Sequence, residues 1–153
     1  AFASLVEGDS TVIATKNGYL VRLRAEDVPE YGRNARGAVA IKLRNGDEIA
    51  WMSAEKGSHL LTLTENGFGK RCQLEEFRTL GRGSMGVVAH RVSEKTGKLV
   101  FAGVCDGGEL FVISADGYCI RVDTKSLPVQ GRYSAGVAVS RRGAARALIL
   151  RNG

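Results

Sequence analysis

A threefold internal repeat is the feature of this sequence that most restricts its fold. The turn-forming triplet Asn-Gly-Tyr at 17–19 recurs as Asn-Gly-Phe at 66–68 and as Asp-Gly-Tyr at 116–118, at offsets of 49 and 50 residues. Three further sets keep the same register: Arg22, Arg71 and Arg121; Phe2, Trp51 and Phe101; and the pair Pro29 and Pro128. A period of about 50 residues is typical of repeat folds in which each unit buries its neighbour's apolar face.

Each unit contains the pattern of four short β-strands. An Asn-Gly or Asp-Gly pair between two alternating apolar runs predicts a hairpin with a type I′ turn, so the first two strands of every unit should pair. In the middle unit the four strands are expected at 59–64, 68–73, 86–92 and 98–104. Lys70 falls on the apolar face of the second strand, which a blade edge would explain. The pattern predicts an all-β fold of the β-propeller or β-pinwheel type, with about three four-stranded blades.

Three blades are too few to close such a ring. The chain is therefore expected to be part of a larger ring, an open arc, or a protomer that pairs with another copy, because unpaired blade edges invite association. The expected boundaries within a single repeat domain, 1–153, are the tail of a preceding blade at 1–8 and blades at 9–57, 58–107 and 108–153.

The stretch Gly-Arg-Gly-Ser-Met-Gly at 81–86 matches Gly-x-Gly-x-x-Gly, the pattern of a dinucleotide-binding turn that opens a helix. Two hexapeptides lie in register with it, GRNARG at 32–37 and GRYSAG at 131–136, and the shared pattern is Gly-Arg-x-x-x-Gly. The middle glycine belongs to one unit alone. The residues that follow, VVAHRV, favour a strand rather than a helix. We therefore reject a nucleotide site.

Positive charge indicates the class of partner. The chain has 22 Lys and Arg against 16 Asp and Glu, a formal net charge of +6, and a pI near 9.5. Residues 128–153 hold five arginines and no acid. A polyanion such as nucleic acid fits this charge. A basic chain that its charge keeps soluble is the alternative.

The sequence indicates no catalytic residue, metal site, cofactor or small-molecule substrate. The three cysteines form no Cys-x-x-Cys pair, which argues against a zinc site and fits a reducing cytoplasm. His59 and His90 align with unrelated residues in the other units and are interpreted as ordinary strand residues. Since no apolar run reaches 18 residues, a membrane span is not expected.

Residues 65–78, ENGFGKRCQLEEFR, together with 81–86 resemble a repeat of the C-terminal domain of the DNA gyrase A protein. The stretches 95–100 and 127–132 resemble neighbouring repeats of that family, so the similarity covers all three units. The resemblance implies a β-pinwheel that wraps duplex DNA around a basic rim, in a bacterial cytoplasmic, nucleoid-associated enzyme. It also implies that catalysis lies outside this chain, in the remaining domains of the gyrase A protein and in its ATPase partner. The related protein of topoisomerase IV has the same kind of domain, and the sequence separates the two poorly.

One motif of the resembled family is incomplete. Gyrase carries a heptapeptide box close to Gln-Arg-Arg-Gly-Gly-Arg-Gly, which is tied to wrapping that produces negative supercoiling. The equivalent stretch 80–86 has Met85 at the second basic position, and 31–37 keeps Arg36 but loses the Gly-Gly pair. Either the blade with the box lies outside this sequence, or the parent enzyme does not wrap DNA in the gyrase manner.

Arginines at repeated or clustered positions are the candidate DNA contacts. Phosphate contacts from a curved row of cations give affinity without base readout. The candidates are Arg22, Arg33, Arg36, Arg71, Arg82, Arg121, Arg132, Arg141 and Arg142. For any single arginine, the alternative is that Gly-Arg-x-x-x-Gly only shapes a turn between blades. For the chain, the alternative is a protein-interaction propeller with no role on DNA.

Overall fold

The computed structural model describes Ala3, residues 8–54 and residues 56–150. The strands are β1 Ser10–Thr15, β2 Tyr19–Arg24, β3 Ile49–Ala54, β4 His59–Thr64, β5 Phe68–Gln73, β6 Val87–Val88, β7 Leu99–Cys105, β8 Glu109–Ile113, β9 Cys119–Asp123, β10 Val137–Ala138 and β11 Arg146–Leu150. Single-turn 3-10 helices follow β2, β5 and β9 at Ala25–Asp27, Leu74–Glu76 and Thr124–Ser126. Apart from Ala3 and Gly8, the expected tail of a preceding blade at 1–8 lies outside the described residues.

The described strands form three antiparallel sheets, here called blades 1, 2 and 3. Blade 1 has the strand order β3-β1-β2-β6, blade 2 has β10-β5-β4-β7, and blade 3 has β11-β8-β9. β3 contacts β7, and β7 contacts β11, so these three strands mark the inner side of the blades. The opposite edges carry β6 and β10 and form the outer side. This architecture confirms the predicted all-β, propeller-like fold.

The outer strand of a blade comes from the following sequence unit, which corrects the expectation that each unit builds a whole blade. Val87 and Val88 of β6 pair with Leu20 and Tyr19 of β2 in blade 1. β10 joins blade 2 in the equivalent register. The strand expected at 86–92 is wrong in length as well, because the amides of residues 89 and 90 both donate to the carbonyl of Gly18 and end the ladder.

The hairpin turns are confirmed, but their type is not the expected type I′. The amide of Gly18 donates to the carbonyl of Thr15 at 3.0 Å. Gly18 has a φ of +86°. Asn34 is the one non-glycine residue of the described chain with a positive φ, so the central turn residues Lys16 and Asn17 do not have the positive φ that a type I′ turn requires. This geometry is a turn without left-handed central residues, closed by a left-handed glycine, as in three-residue hairpin loops. The hydroxyls of Thr15, Thr64 and Ser114 accept the amide that follows each glycine.

The apolar core lies between the blades. Val12 of blade 1 and Leu60 of blade 2 belong to one buried cluster. Leu61 of blade 2 and Val112 of blade 3 belong to a second one. Consecutive residues of β4 point to opposite faces, so blade 2 is buried on both sides. On the inner side the repeated aromatic residues of β3 and β7 meet, with 5.0 Å between the ring centroids of residues 51 and 101.

Candidate nucleic-acid interface

Three equivalent stretches follow the 3-10 helices, and we call residues 28–44, 77–95 and 127–142 the rim segments. The second crosses the outer side of blade 1, where the Leu80 amide donates to the Arg22 carbonyl at 2.8 Å. The third crosses blade 2, where the Gln130 amide donates to the Arg71 carbonyl at 2.8 Å. Each crossing segment begins with a buried residue at 77 or 127. The second and third rim segments therefore lie on the outer side, and residues 40–42 of the first are hydrogen-bonded to the second.

The rim segments concentrate the positive charge of the chain. They hold eleven of the 22 Lys and Arg and two of the 16 Asp and Glu. The basic residues are Arg33, Arg36, Lys42, Arg44, Arg78, Arg82, Arg91, Lys95, Arg132, Arg141 and Arg142. The rest of the chain consequently carries more acids than bases. Clustering of one sign on one side focuses a field that attracts a polyanion there.

The Gly-Arg-x-x-x-Gly loops at 81–86 and 131–136 belong to the segments that cross the outer side, and the loop at 32–37 precedes residues 40–42, whose backbone is hydrogen-bonded to the second segment. Arg33 and Arg82 are exposed. Arg36, in the first of these loops, is also exposed. Arg132 is partly exposed, and its guanidinium lies 5.1 Å from the ring centroid of Tyr133. Within the described residues, the side chains of Arg33, Arg36 and Arg82 make no hydrogen bond or ion pair. These loops present cations that a phosphate can reach.

The two outer glycines of each loop differ in what the fold requires of them. Gly86 and Gly136 have φ of +72° and +73°, and a Cβ would lie 2.5 and 2.6 Å from a carbonyl oxygen of the blade beneath. A side chain at Gly81 or Gly131 would meet nothing within 4 Å, and neither residue has a positive φ. The fold therefore explains the last glycine of the loop but not the first. A close external approach to the backbone would explain the first.

The repeated strand arginines connect neighbouring units. A guanidinium nitrogen of Arg22 donates to the carbonyl of Phe77 at 3.1 Å. In the next unit, Arg71 donates to the carbonyls of Leu127 and Lys125 at 3.0 and 3.1 Å. Both side chains are partly buried. Their hydrogen bonds hold the start of a rim segment against the preceding blade.

The basic residues of the third unit have different surroundings. Arg121, on the outer strand of blade 3, is exposed and forms an ion pair with Glu109 at 3.2 Å. Arg142 forms an ion pair with Asp116 at 2.8 Å. Hydrogen bonds from Ser114 and then from Arg142 lower the pKa of the Asp116 carboxyl. Arg141 is exposed. Exposed ion pairs of this kind are weak, so they do not prevent contact with phosphate.

Lys70 has a role that the sequence did not indicate. It is fully buried, and its Nζ donates to the carbonyls of Gly131 and Arg132 at 2.6 and 2.9 Å. Burial lowers the pKa of its ammonium group. His90 is likewise buried and bridges Thr62 and the carbonyl of Ala135, at 2.9 Å to each. Both side chains fix the third rim segment on blade 2, so the blade-edge explanation of Lys70 is wrong.

A cation lies over the repeated aromatic residue of every unit. Arg44 is 3.5 Å from the ring centroid of Tyr19, Lys95 is 5.6 Å from that of Phe68, and Arg142 is 3.7 Å from that of Tyr118. Arg44 and Lys95 were not among the sequence candidates, because they do not align in the repeat. The recurring aromatic ring was the signal that could have located them.

Other classes of site find no support in the described part of the chain. Across those residues no group of three or more His, Cys, Asp or Glu side chains could hold a metal ion. None of the helices formed by the described residues has the length and apolar character to cross a membrane.

The fold and the rim together define a class, namely an arc of propeller-like blades that exchange outer strands and carry cations on the outer side. A family model described as "DNA gyrase C-terminal domain, beta-propeller" matches residues 9–54, 58–106 and 108–141. The chain belongs to the DNA gyrase C-terminal domain family. The resemblance inferred from the repeats is thus confirmed.

Known relatives agree with this assignment. The DNA gyrase A protein of Deinococcus deserti is 38% identical over 138 residues, which cover 86% of this chain and 17% of that protein. The same protein of Fibrobacter succinogenes is 36% identical over 149 residues, which cover 95% and 15%. The chain therefore spans less than a fifth of these proteins.

Solved structures show the same fold. A DNA gyrase A C-terminal domain superposes with a TM-score of 0.82 at 24% identity, over 97% of this chain and 49% of that one. The C-terminal domain of DNA topoisomerase IV superposes with a TM-score of 0.84 at 19% identity, over 92% and 46%. The chain spans about half the length of each domain.

Proposed function

We propose that this chain binds duplex DNA along its rim segments without reading the base sequence, as the DNA-wrapping domain of a type IIA topoisomerase of the gyrase A kind. The observation that carries the proposal is the segregation of charge, with half of the basic residues on the three rim segments, two of which cross the outer side of a blade. The names of the gyrase relatives support the same activity.

Binding of this kind would rest on phosphate contacts. Arg33, Arg36, Arg82 and Arg132 lie on equivalent loops, and the glycine before three of these arginines leaves space for a phosphate beside the backbone. Duplex DNA has a persistence length of about 150 bp, so bending one site by 40 to 90 degrees costs on the order of 1 to 6 kcal/mol. A single contact does not offset this cost, whereas a row of arginines on successive blades does.

For the strand arginines we propose two different roles. Arg22 and Arg71 act on DNA indirectly, since their guanidinium groups hold the rim segments in place. Arg121, Arg141 and Arg142 are exposed and contribute direct phosphate contacts at one end of the arc.

The wider setting follows from the same family. We propose that the protein partners are the remaining domains of a topoisomerase A protein and the ATPase protein of the same enzyme. Strand cleavage and ATP hydrolysis would lie in those parts, and the chain would act in the bacterial cytoplasm on nucleoid DNA. This domain would then need no cofactor and no small-molecule substrate of its own.

A salt-titrated mobility-shift assay on long duplex DNA tests the proposal. Each phosphate contact contributes about 0.9 to the slope of log K against log salt. Arg82→Ala and Arg132→Ala should each lower the slope by about one and weaken binding to all sequences equally. Arg146→Ala, which removes an exposed arginine of β11 outside the rim segments, is the matched control and should leave the slope unchanged.

Two results would count against it. Unchanged slopes in both rim variants would mean that the loops only shape turns. No binding even at low salt would favour a protein-interaction propeller.

A further inference from the structure

The loop 131–136 of the third rim segment has its carbonyls turned towards the protein. The buried ammonium group of Lys70 donates to the carbonyls of residues 131 and 132, at 2.6 and 2.9 Å. The amide of Arg91 donates to the carbonyl of residue 134 at 3.1 Å, and Nε2 of His90 lies 2.9 Å from the carbonyl oxygen of residue 135. Four carbonyls of this short loop are therefore held from the side of blade 2 and the second rim segment.

Two consecutive amides of this loop consequently point away from the protein. The peptide bonds of the loop are trans, so each N–H lies opposite the C=O of the same peptide group. The two peptide groups whose carbonyls Lys70 holds carry the amides of Arg132 and Tyr133. Within the described residues, neither of these amides donates a hydrogen bond. Consecutive amides on one side of a turn form a concave site for an anion.

The equivalent loop on blade 1 has a different backbone. Gly83, the equivalent of Tyr133, has a φ of +75°, and its amide donates to the carbonyl of Ala40 at 2.9 Å. Tyr133 has no positive φ, because a side chain of this size rarely adopts the left-handed conformation. In β2 the position of Lys70 is held by Val21, which cannot donate a hydrogen bond to the loop. Lys70 and Tyr133 together therefore give the loop at 131–136 its outward amides.

We propose that the amides of Arg132 and Tyr133 bind one backbone phosphate of duplex DNA, with Lys70 as a buried positioning residue that does not touch the DNA. The proposal rests on the DNA binding proposed above and adds the site at which one phosphate is held. Gly131 leaves space for the phosphate, since a Cβ there would meet nothing within 4 Å. Lys70 makes no ion pair within the described residues, so its positive charge also favours an anion above the loop.

Two substitutions at Tyr133 separate the backbone from the side chain. Both remove the ring, but only Tyr133→Gly gives ready access to the left-handed conformation of Gly83, which turns the amide inward. Tyr133→Gly should therefore bind duplex DNA about tenfold more weakly than Tyr133→Ala, because it loses a hydrogen bond to a charged group. The two variants have the same net charge, so a difference in charge cannot produce this result. Equal affinities of the two variants would overturn the role of the amide.

Lys70→Met tests the positioning role. Methionine fills a similar volume but donates no hydrogen bond, so the carbonyls of residues 131 and 132 are released. The variant should bind duplex DNA about tenfold more weakly, although Lys70 is fully buried and out of reach of the DNA. Wild-type affinity in a folded Lys70→Met chain would overturn the positioning role, and the comparison of the two Tyr133 variants decides the site if Lys70→Met does not fold.

An NMR titration of the whole chain with a short DNA duplex observes the site directly. The amide protons of Arg132 and Tyr133 should move downfield, because they gain a charged acceptor, and this shift should be smaller in Lys70→Met. The amide of Ser134 donates within the loop to the Gly131 carbonyl at 3.2 Å and is the internal control, for which a much smaller shift is expected. If the duplex binds but the first two amides shift no more than that of Ser134, the phosphate site is wrong while the proposed function stands. A chain that binds no duplex at all would overturn both.

Discussion

Acid should destabilise this fold through one buried histidine. His90 is completely buried, and burial lowers its pKa from 6.5 to about 4. The positive charge of Lys70 acts in the same direction, whereas the hydrogen bond to the Ala135 carbonyl raises the pKa. The neutral imidazole joins β4 of blade 2 to the third rim segment, so its protonation disturbs the outer side of the arc.

The sign and size of the effect follow from proton linkage. The unfolded chain binds a proton at this position near pH 6.5, and the folded chain binds it only near pH 4. Between these values the unfolded state holds more protons, so the free energy of unfolding falls as the pH falls. The full effect is about 3 kcal/mol, of which about 2 kcal/mol is lost between pH 7 and pH 5.

Urea unfolding followed by the fluorescence of Trp51, the single tryptophan, measures this loss. Carboxylates titrate in the same range, so the quantity to compare is the pH dependence of the wild type and of His90→Gln. The variant should lose about 2 kcal/mol less than the wild type between pH 7 and pH 5. His59→Gln replaces the partly exposed second histidine and should behave as the wild type does. Equal losses in wild type and His90→Gln, or an NMR titration of His90 near pH 6.5, would refute the reasoning.

Two further predictions separate structural residues from DNA-contacting ones. Arg71→Ala removes two hydrogen bonds from a charged donor and should lower the free energy of unfolding by about 2 kcal/mol. Arg24→Ala breaks only an exposed ion pair and should change the free energy of unfolding by less than about 0.5 kcal/mol. Equal effects of Arg71→Ala and Arg24→Ala in urea unfolding would contradict the structural role of Arg71. Gly136→Ala should cost about 2 kcal/mol or more, because its Cβ meets the Gly69 carbonyl. Gly131→Ala should leave stability unchanged and weaken DNA binding in the mobility-shift assay; unchanged DNA binding would contradict close phosphate approach.

The repeat allowed much of the fold to be predicted from the sequence. Apolar alternation and turn chemistry act between neighbouring residues, so the hairpins β1-β2, β4-β5 and β8-β9 were expected and are present. The repeat period also indicated blades of one kind. The alternation did not show that β6 would join the preceding blade, because the edge that a strand of two residues joins depends on the path of the whole rim segment.

The interface was less predictable than the fold. Alignment of Arg22, Arg71 and Arg121 indicated a shared role, and charge alone could not tell a phosphate contact from a hydrogen bond to a carbonyl. The first two donate to the following unit, and Arg121 instead pairs with Glu109. Burial of Lys70 escaped sequence reasoning for a related reason. Its partners are backbone carbonyls 61 and 62 residues away, which no side-chain pattern records.

Exchange of the outer strands links the charge of the rim to the packing of the blades. Each rim segment that crosses a blade completes the sheet of that blade and also carries basic loop residues. Gly136 and Val137 fix the backbone of the third rim segment on blade 2. Closer to the start of that segment, Lys70 donates to a carbonyl of the Gly-Arg-x-x-x-Gly loop. The position of Arg132 is therefore set by β-sheet pairing rather than by a flexible loop. A row of cations with spacing fixed in this way suits a bent, regularly charged polymer, and under the proposed function the protein would not have to order the supports of these side chains on binding DNA.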